Sequence, residues 1–125
     1  MNKIIVNWNF RLEKEFQSEL NKQLRNNWWF VYKMPDTWFA KKPYDMYAIS
    51  PEWITYHCEL KIISVNSINI NKLEPQQHWS LKYISKINPN IAMVLIWSKK
   101  HSDYKIFTYN EFMSLSNTEW TVKVF

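Results

Sequence analysis

Three side chains in this sequence have types and spacings that can do chemistry together. Glu59 and Lys61 lie two residues apart in a run where Ile54, Tyr56, Cys58, Leu60 and Ile62 alternate with Thr55, His57, Glu59 and Lys61. Period two puts the second set on one face of a strand. Asp45 opens the preceding short hydrophobic run, directly after Pro43-Tyr44. If the two runs pair as a hairpin, Asp45 and Glu59 can share one divalent cation such as Mg²⁺ (or Mn²⁺), which takes carboxylate oxygens and keeps several waters. Water on such an ion is easier to deprotonate. Lys61 can then orient the attacking water or offset charge building on phosphoryl oxygens. These are the parts for phosphodiester hydrolysis. The plain alternative is a solvated outer face, where Glu and Lys are common.

The elements that must position these groups follow from periodicity. A helix is expected near residues 10–26, where Leu12, Phe16, Leu20 and Leu24 recur every four residues and Gln17, Glu19, Asn21 and Lys22 fill the other faces. Trp28-Trp29-Phe30-Val31-Tyr32 reads as a strand, Asp45–Ile49 as a second and Trp53–Ile63 as a third, with Ser50-Pro51-Glu52 a turn signal between the last two. A second helix starts near Pro75 and runs to about Lys86, proline being tolerated in a first turn. Ile91–Trp97 is a continuous apolar run, as in a central strand buried on both faces. Tyr104–Tyr109 is a further strand and Glu111–Leu115 a short helix or turn. The helix between strands three and four is long enough for a crossover. The expected class is α/β, a mixed β-sheet with the order helix-strand-strand-strand-helix-strand, as one domain over residues 1–125.

Pro43-Tyr44-Asp45 followed by Glu59-Leu60-Lys61 resembles the signature of the PD-(D/E)XK nucleases. Asp45 precedes Glu59 by fourteen positions, within that family's usual range, and the element order is that of its restriction-endonuclease-like core. The segment Leu73–Leu81, with Gln77 four residues before Leu81, is similar to the segment after the active strand in Holliday junction resolvases of the RecU-like and archaeal resolvase-like groups. Such enzymes often place a glutamate on the first helix. Glu13 suits that register, and Glu15 is its rival, about 200° away around the helix. The resemblance implies metal held by Asp45, Glu59 and the Leu60 carbonyl, assistance by Lys61, and support from Glu13 and Gln77. It also implies a homodimer, since symmetric nicking of a four-way junction needs two sites. The chain leaves little room for the protruding stalk of the RecU group.

Composition agrees with a nucleic-acid partner without establishing one. The 125 residues carry a net charge of +5, which suits a polyanion such as DNA, branched DNA in the resolvase reading. Glycine is absent, which excludes a glycine-rich phosphate cradle and so a nucleotide cofactor held that way. Cys58 is the single cysteine, which excludes an internal disulfide or a cysteine-rich zinc site. No stretch of about 18 apolar residues occurs, so no membrane span is expected. A cytoplasmic protein follows as the default, and the lysine-, asparagine- and isoleucine-rich composition suits an AT-rich, viral or plasmid-borne source.

Lys41 and Lys42, just before Asp45, read either as phosphate contacts or as a solvated turn. His57 either touches DNA or is a structural residue. Trp38-Phe39 either stack on unpaired bases or pack against the protein. Pro35-Asp36 is a literal Pro-Asp pair that reads as turn chemistry. Other functions remain open: a restriction-type or repair nuclease, a DNA-binding or assembly module without catalysis, and an interaction protein whose tryptophans form a partner surface.

Overall fold

The structure is a computed structural model that describes residues 1–6, 9–35 and 41–125. Helix α1 spans Glu13–Asn26. Strands β1 (Phe30–Lys33), β2 (Met46–Ile49) and β3 (Thr55–Ile63) follow, then β4 (Ser67–Asn69) and a 3-10 turn at Ile70–Lys72. Helix α2 (Pro75–Ile87) leads to β5 (Ala92–Ser98), β6 (Asp103–Thr108), α3 (Tyr109–Ser114) and β7 (Thr121–Lys123).

Five strands form one mixed sheet in the order β1-β2-β3-β5-β6. β1, β2 and β3 are an antiparallel meander, β3 and β5 are parallel, and β5 and β6 are antiparallel. The helix α2 makes the crossover that a parallel pair requires. The short strands β4 and β7 pair separately and antiparallel. They were not read from the sequence, because three residues carry too little alternation to stand out.

Each face of the sheet has its own core. On one side, Phe16, Leu20 and Leu24 of α1 pack on Met46, Ala48, Cys58, Leu60, Leu95 and Trp97. Leu12 lies just before α1 and is exposed rather than part of the stripe. Gln17 and Asn21 are buried, contrary to the polar face expected for them, because α1 lies across β1 and β3 and is covered over more of its girth than the leucine stripe alone. On the other side, Leu81 of α2 and Phe112 of α3 pack with Ala92, Val94, Ile96, Ile68 and Val122. β5 is therefore buried along its whole length, as its unbroken apolar run requires.

Candidate active site

The β2–β3 register pairs Met46 with Cys58 and Ile49 with Thr55. Carried one residue further, it sets Asp45 opposite Glu59. The backbone continues the ladder there: Asp45 N–H donates to the Cys58 carbonyl at 3.0 Å, and Met34 N–H donates to the Asp45 carbonyl at 2.9 Å. Directly opposed residues of an antiparallel pair share a face, with Cβ atoms about 5 Å apart. One Asp45 oxygen, Oδ2, accepts the Leu60 N–H at 2.7 Å. A strand residue's N–H and C=O project from the same edge, so the Leu60 carbonyl opens on the side where β2 ends.

The polar face of β3 is not a solvated exterior here. Glu59 is fully buried, and neither of its carboxylate oxygens accepts a hydrogen bond. The Lys61 ammonium lies 3.3 Å from Glu59 Oε2 as an ion pair, near enough for Coulomb attraction but outside hydrogen-bond alignment. Burial and then the Asp45 carboxylate push the Glu59 carboxyl up to about 9, while Lys61 pulls the other way. Asp45 has a second partner, Lys42 Nζ at 2.9 Å from Oδ1. Two carboxylates thus face each other out of water with a lysine on either flank.

Comparison with solved structures decides what fold holds this site. Seven chains of solved structures match. One is Hjc, a Holliday junction resolvase from Archaeoglobus fulgidus, with a TM-score of 0.58 over 77% of this chain and 75% of that one, at 13% identity. The chain shares the fold of this resolvase. No protein-family model matches the chain, and no curated relative is found, so the likeness is carried by architecture alone.

Within this fold, α1 places one residue on the cleft that holds Lys61 and another on the Asp45 backbone. Glu13, in the first turn, is exposed and lines an open cleft of about 540 Å³ with Lys61, Ser64, Ser67, Asn69 and Lys72. Glu15 instead turns back on the helix start, where its Oε1 accepts the Leu12 N–H at 3.0 Å and the Arg11 N–H at 3.3 Å. The two rival glutamates thus have different surroundings. One turn beyond Glu13, Gln17 donates Nε2 to the Asp45 carbonyl at 3.3 Å. Sequence reading missed Gln17. Its place one turn after Glu13 was the available signal, since residues four apart share a helix face.

The remaining candidates have structural partners. Gln77 is buried, and its Oε1 accepts the Glu74 N–H at 2.9 Å, closing the start of α2. Lys41 pairs with Glu74 at 3.1 Å with its side chain largely in solvent. His57 is half-buried, its Nδ1 2.7 Å from the Tyr44 hydroxyl and its ring edge-on to that of Tyr44. Burial lowers its tendency to protonate. His78 bridges the Ile70 carbonyl and the Tyr109 hydroxyl, both at 2.7 Å. Cys58 is buried, and burial pushes its thiol up, so it is inert as a nucleophile. Asp36, Trp38 and Phe39 lie outside the described residues. No helix among the described residues is long and apolar enough to cross a membrane.

A divalent cation fits the donor set. Asp45, Glu59 and the Leu60 carbonyl offer only hard oxygen atoms, and the Glu59 oxygens are buried polar atoms without a hydrogen-bond donor. Among the described residues no three His, Cys, Asp or Glu side chains gather as a cage. Mg²⁺ asks for less, since one or two carboxylates suffice when waters and a substrate phosphate complete the shell.

Proposed function

We propose that this chain is a metal-dependent endodeoxyribonuclease that acts as a homodimer on branched DNA. The observation that carries the proposal is Glu59: a carboxyl with no exposure, no hydrogen-bond donor, Asp45 opposite it and Lys61 at 3.3 Å. One lysine beside it leaves a buried carboxyl facing a second carboxylate short of partners, and a cation between the two carboxylates relieves the conflict.

In this reading Asp45, Glu59 and the Leu60 carbonyl hold Mg²⁺ or Mn²⁺. When bound, the ion supplies Lewis acidity toward the phosphoryl oxygen and acidifies water. Burial keeps Glu59 and Asp45 in a fixed geometry, with Asp45 anchored by the Leu60 N–H. Lys61 directs its ammonium into the cleft, where it positions the attacking water and offsets charge on the phosphoryl group. Glu13 stands across the cleft and orders water or metal-shell protons there. Gln17 and Gln77 act as positioning residues, through the Asp45 backbone and the start of α2 respectively. Lys41 and Lys42 contribute phosphate attraction without sequence information. Similarity to a Holliday junction resolvase supports branched DNA as substrate, and two sites in a dimer suit symmetric nicking.

The test is cleavage of a synthetic four-way junction, a linear duplex and a single strand, each with Mg²⁺ and with EDTA. Preferential, metal-dependent cutting of the junction is expected. Equal cutting of all three would leave a nuclease but remove the resolvase reading, and no cutting with any metal would remove both.

One observation favours a second reading, a DNA-binding module without hydrolysis. The Lys42 ammonium sits 2.9 Å from Asp45 Oδ1, against an oxygen that a cation needs. Calorimetric titration with Mn²⁺ separates the two: no binding to the wild-type protein, with DNA binding intact, would select the module.

A further inference from the structure

Among the described residues three tight turns hold tryptophan in a left-handed position where glycine is the usual residue, at Trp28, Trp53 and Trp120, and the first two lie side by side. At the end of α1, Trp29 N–H donates to the Leu24 carbonyl and Trp28 N–H to the Arg25 carbonyl, each at 3.1 Å. This is the Schellman pattern, with Trp28 in its left-handed position at φ 68°. Between β2 and β3, Ser50 N–H donates to the Ile54 carbonyl and Trp53 N–H to the Ser50 carbonyl, each at 2.9 Å. The loop is therefore Pro51, Glu52 and Trp53, and its left-handed third residue is Trp53, at φ 67°. A bulky side chain is disfavoured at positive φ. Neither indole repays this by packing: Trp28 is 88% exposed and Trp53 86%. Both border one depression of about 280 Å³ with Phe30, Ile49 and Pro51.

By strand register, aromatic positions on one face of the sheet lead from this depression toward the carboxylates. Phe30 pairs with Ile49 and Tyr32 with Tyr47, while Tyr47 pairs with His57, two residues before Glu59. By register, Phe30, Tyr32 and Tyr47 share the face of Glu59 and Lys61. The rings of Tyr32 and Tyr47 are stacked, 5.1 Å apart and 21° from parallel. On this side α2 and α3 pack over β5 and β6, so Phe30 and Tyr32 on the edge strand remain exposed. From the Phe30 register position to Glu59 is roughly 13 Å along the strand direction.

We infer that Trp28, Trp53, Phe30, Tyr32 and Tyr47 form a stacking track for unpaired nucleotides of the DNA whose scissile phosphate lies at Asp45 and Glu59. The inference rests on the nuclease reading for its substrate and on the geometry for its place. The chemistry selects the occupant. Rings dominate the surface, and every base offers a π face to a ring. Arg25 and Lys33 are exposed but lie on the α1 side, where both border a separate depression with Lys14, Gln17, Ser18 and Asn21, so the rings and the face shared with Glu59 select the occupant. Glu52 is the carboxylate in the Trp53 turn. Sharing a face with Glu59 puts the track and the scissile site on one bound strand.

The experiment uses the full chain in EDTA, so that binding is read without cleavage. A duplex with a single-stranded thymidine tail is compared with the same duplex made blunt, by anisotropy of labelled DNA and tryptophan quenching. The variants are Trp28→Gly, Trp53→Gly, their combination, and Trp53→Phe. Glycine suits positive φ, so the glycine variants are expected to fold and to melt no lower than wild type. The double variant is expected to lose about ten- to hundredfold in affinity for the tailed duplex, with blunt-duplex affinity unchanged. Trp53→Phe is expected to recover part of the Trp53→Gly loss. Unchanged affinity for the tail in the double variant overturns the inference. So does a wild-type dimer that the double variant converts to monomer with tail affinity retained, which would make the patch a self-association surface. A chain that cuts no DNA but still shows the tryptophan-dependent tail binding fails as a nuclease and leaves the track standing.

Discussion

The β2–β3 hairpin has two ends, and its residues depart from ordinary physical preference at both. At the open end a carboxylate is kept out of water: Glu59 is buried without a hydrogen-bond donor, facing Asp45. At the closed end an indole is kept in water: Trp53 stands exposed on a backbone that favours glycine, beside Trp28 in the same condition. Between the ends the hairpin is ordinary, with Met46, Ala48, Tyr56 and Cys58 packed beneath α1. Placement against preference is therefore local, and it marks the two places where folding alone does not explain the residue.

The largest expected effect breaks the open end. Lys61→Ala should slow metal-dependent cleavage by about 10²–10³-fold in single-turnover assays, and Asp45→Asn and Glu59→Gln should bring it to background. A wild-type rate in Lys61→Ala would mean that the open end carries no chemistry.

The next effect runs in the opposite direction, toward stability. The Glu59 carboxyl is raised in the folded protein to about 9 from an ordinary 4.5. Its favourable proton is thus fully held below the ordinary value, and that contribution is lost as pH rises through 4.5 to about 9. Glu59→Gln removes the titration. In EDTA, the stability advantage of the variant should be absent near pH 4.5 and widen as pH rises toward about 9. A constant difference across that range would show that Glu59 is solvated.

The closed end predicts a smaller gain. Trp28→Gly and Trp53→Gly should each raise denaturant stability by about 1 kcal/mol, by relieving a left-handed backbone. A loss instead would show that the indoles pack in the fold, and the likeness between the two ends would fail. The smallest effect belongs to a side-chain contact beside the open end. Tyr44→Phe removes the hydroxyl 2.7 Å from His57 Nδ1, and should lower stability by about 0.5–1 kcal/mol while leaving cleavage near wild type.

Much of the fold was legible, because long elements carry enough periods to be recognised. The unbroken run 91–97 could only be a doubly buried strand, and β5 is one. β4 and β7 were not legible, since their pairing depends on residues more than fifty positions apart and on three-residue segments. For the candidate site, the spacing of Asp45 and Glu59 and the alternation of β3 located the hairpin. Alternation says which residues share a face, but not what covers that face. By sequence Glu59 is therefore compatible with a solvated exterior, whereas in the fold it is fully buried. Gln17 was hidden for a like reason: a glutamine beside the leucine stripe is polar by type and buried only by the breadth of the contact. The left-handed turns were hidden because their usual signal is glycine, and this chain has none.

The arrangement of strands also has a kinetic consequence. Asp45 and Glu59 meet across a hairpin closed by a three-residue loop, whereas β5 reaches β3 only through the crossover that contains α2. Short closures are entropically cheaper than long ones and form sooner. The two like charges thus meet in an early, local contact, before the layer that buries Glu59 has arrived. Their repulsion weighs on hairpin formation once pH exceeds the ordinary carboxylate range, and the loss of solvent weighs on the later docking. The same carboxylates that define the site also set the pace at which the sheet around them closes.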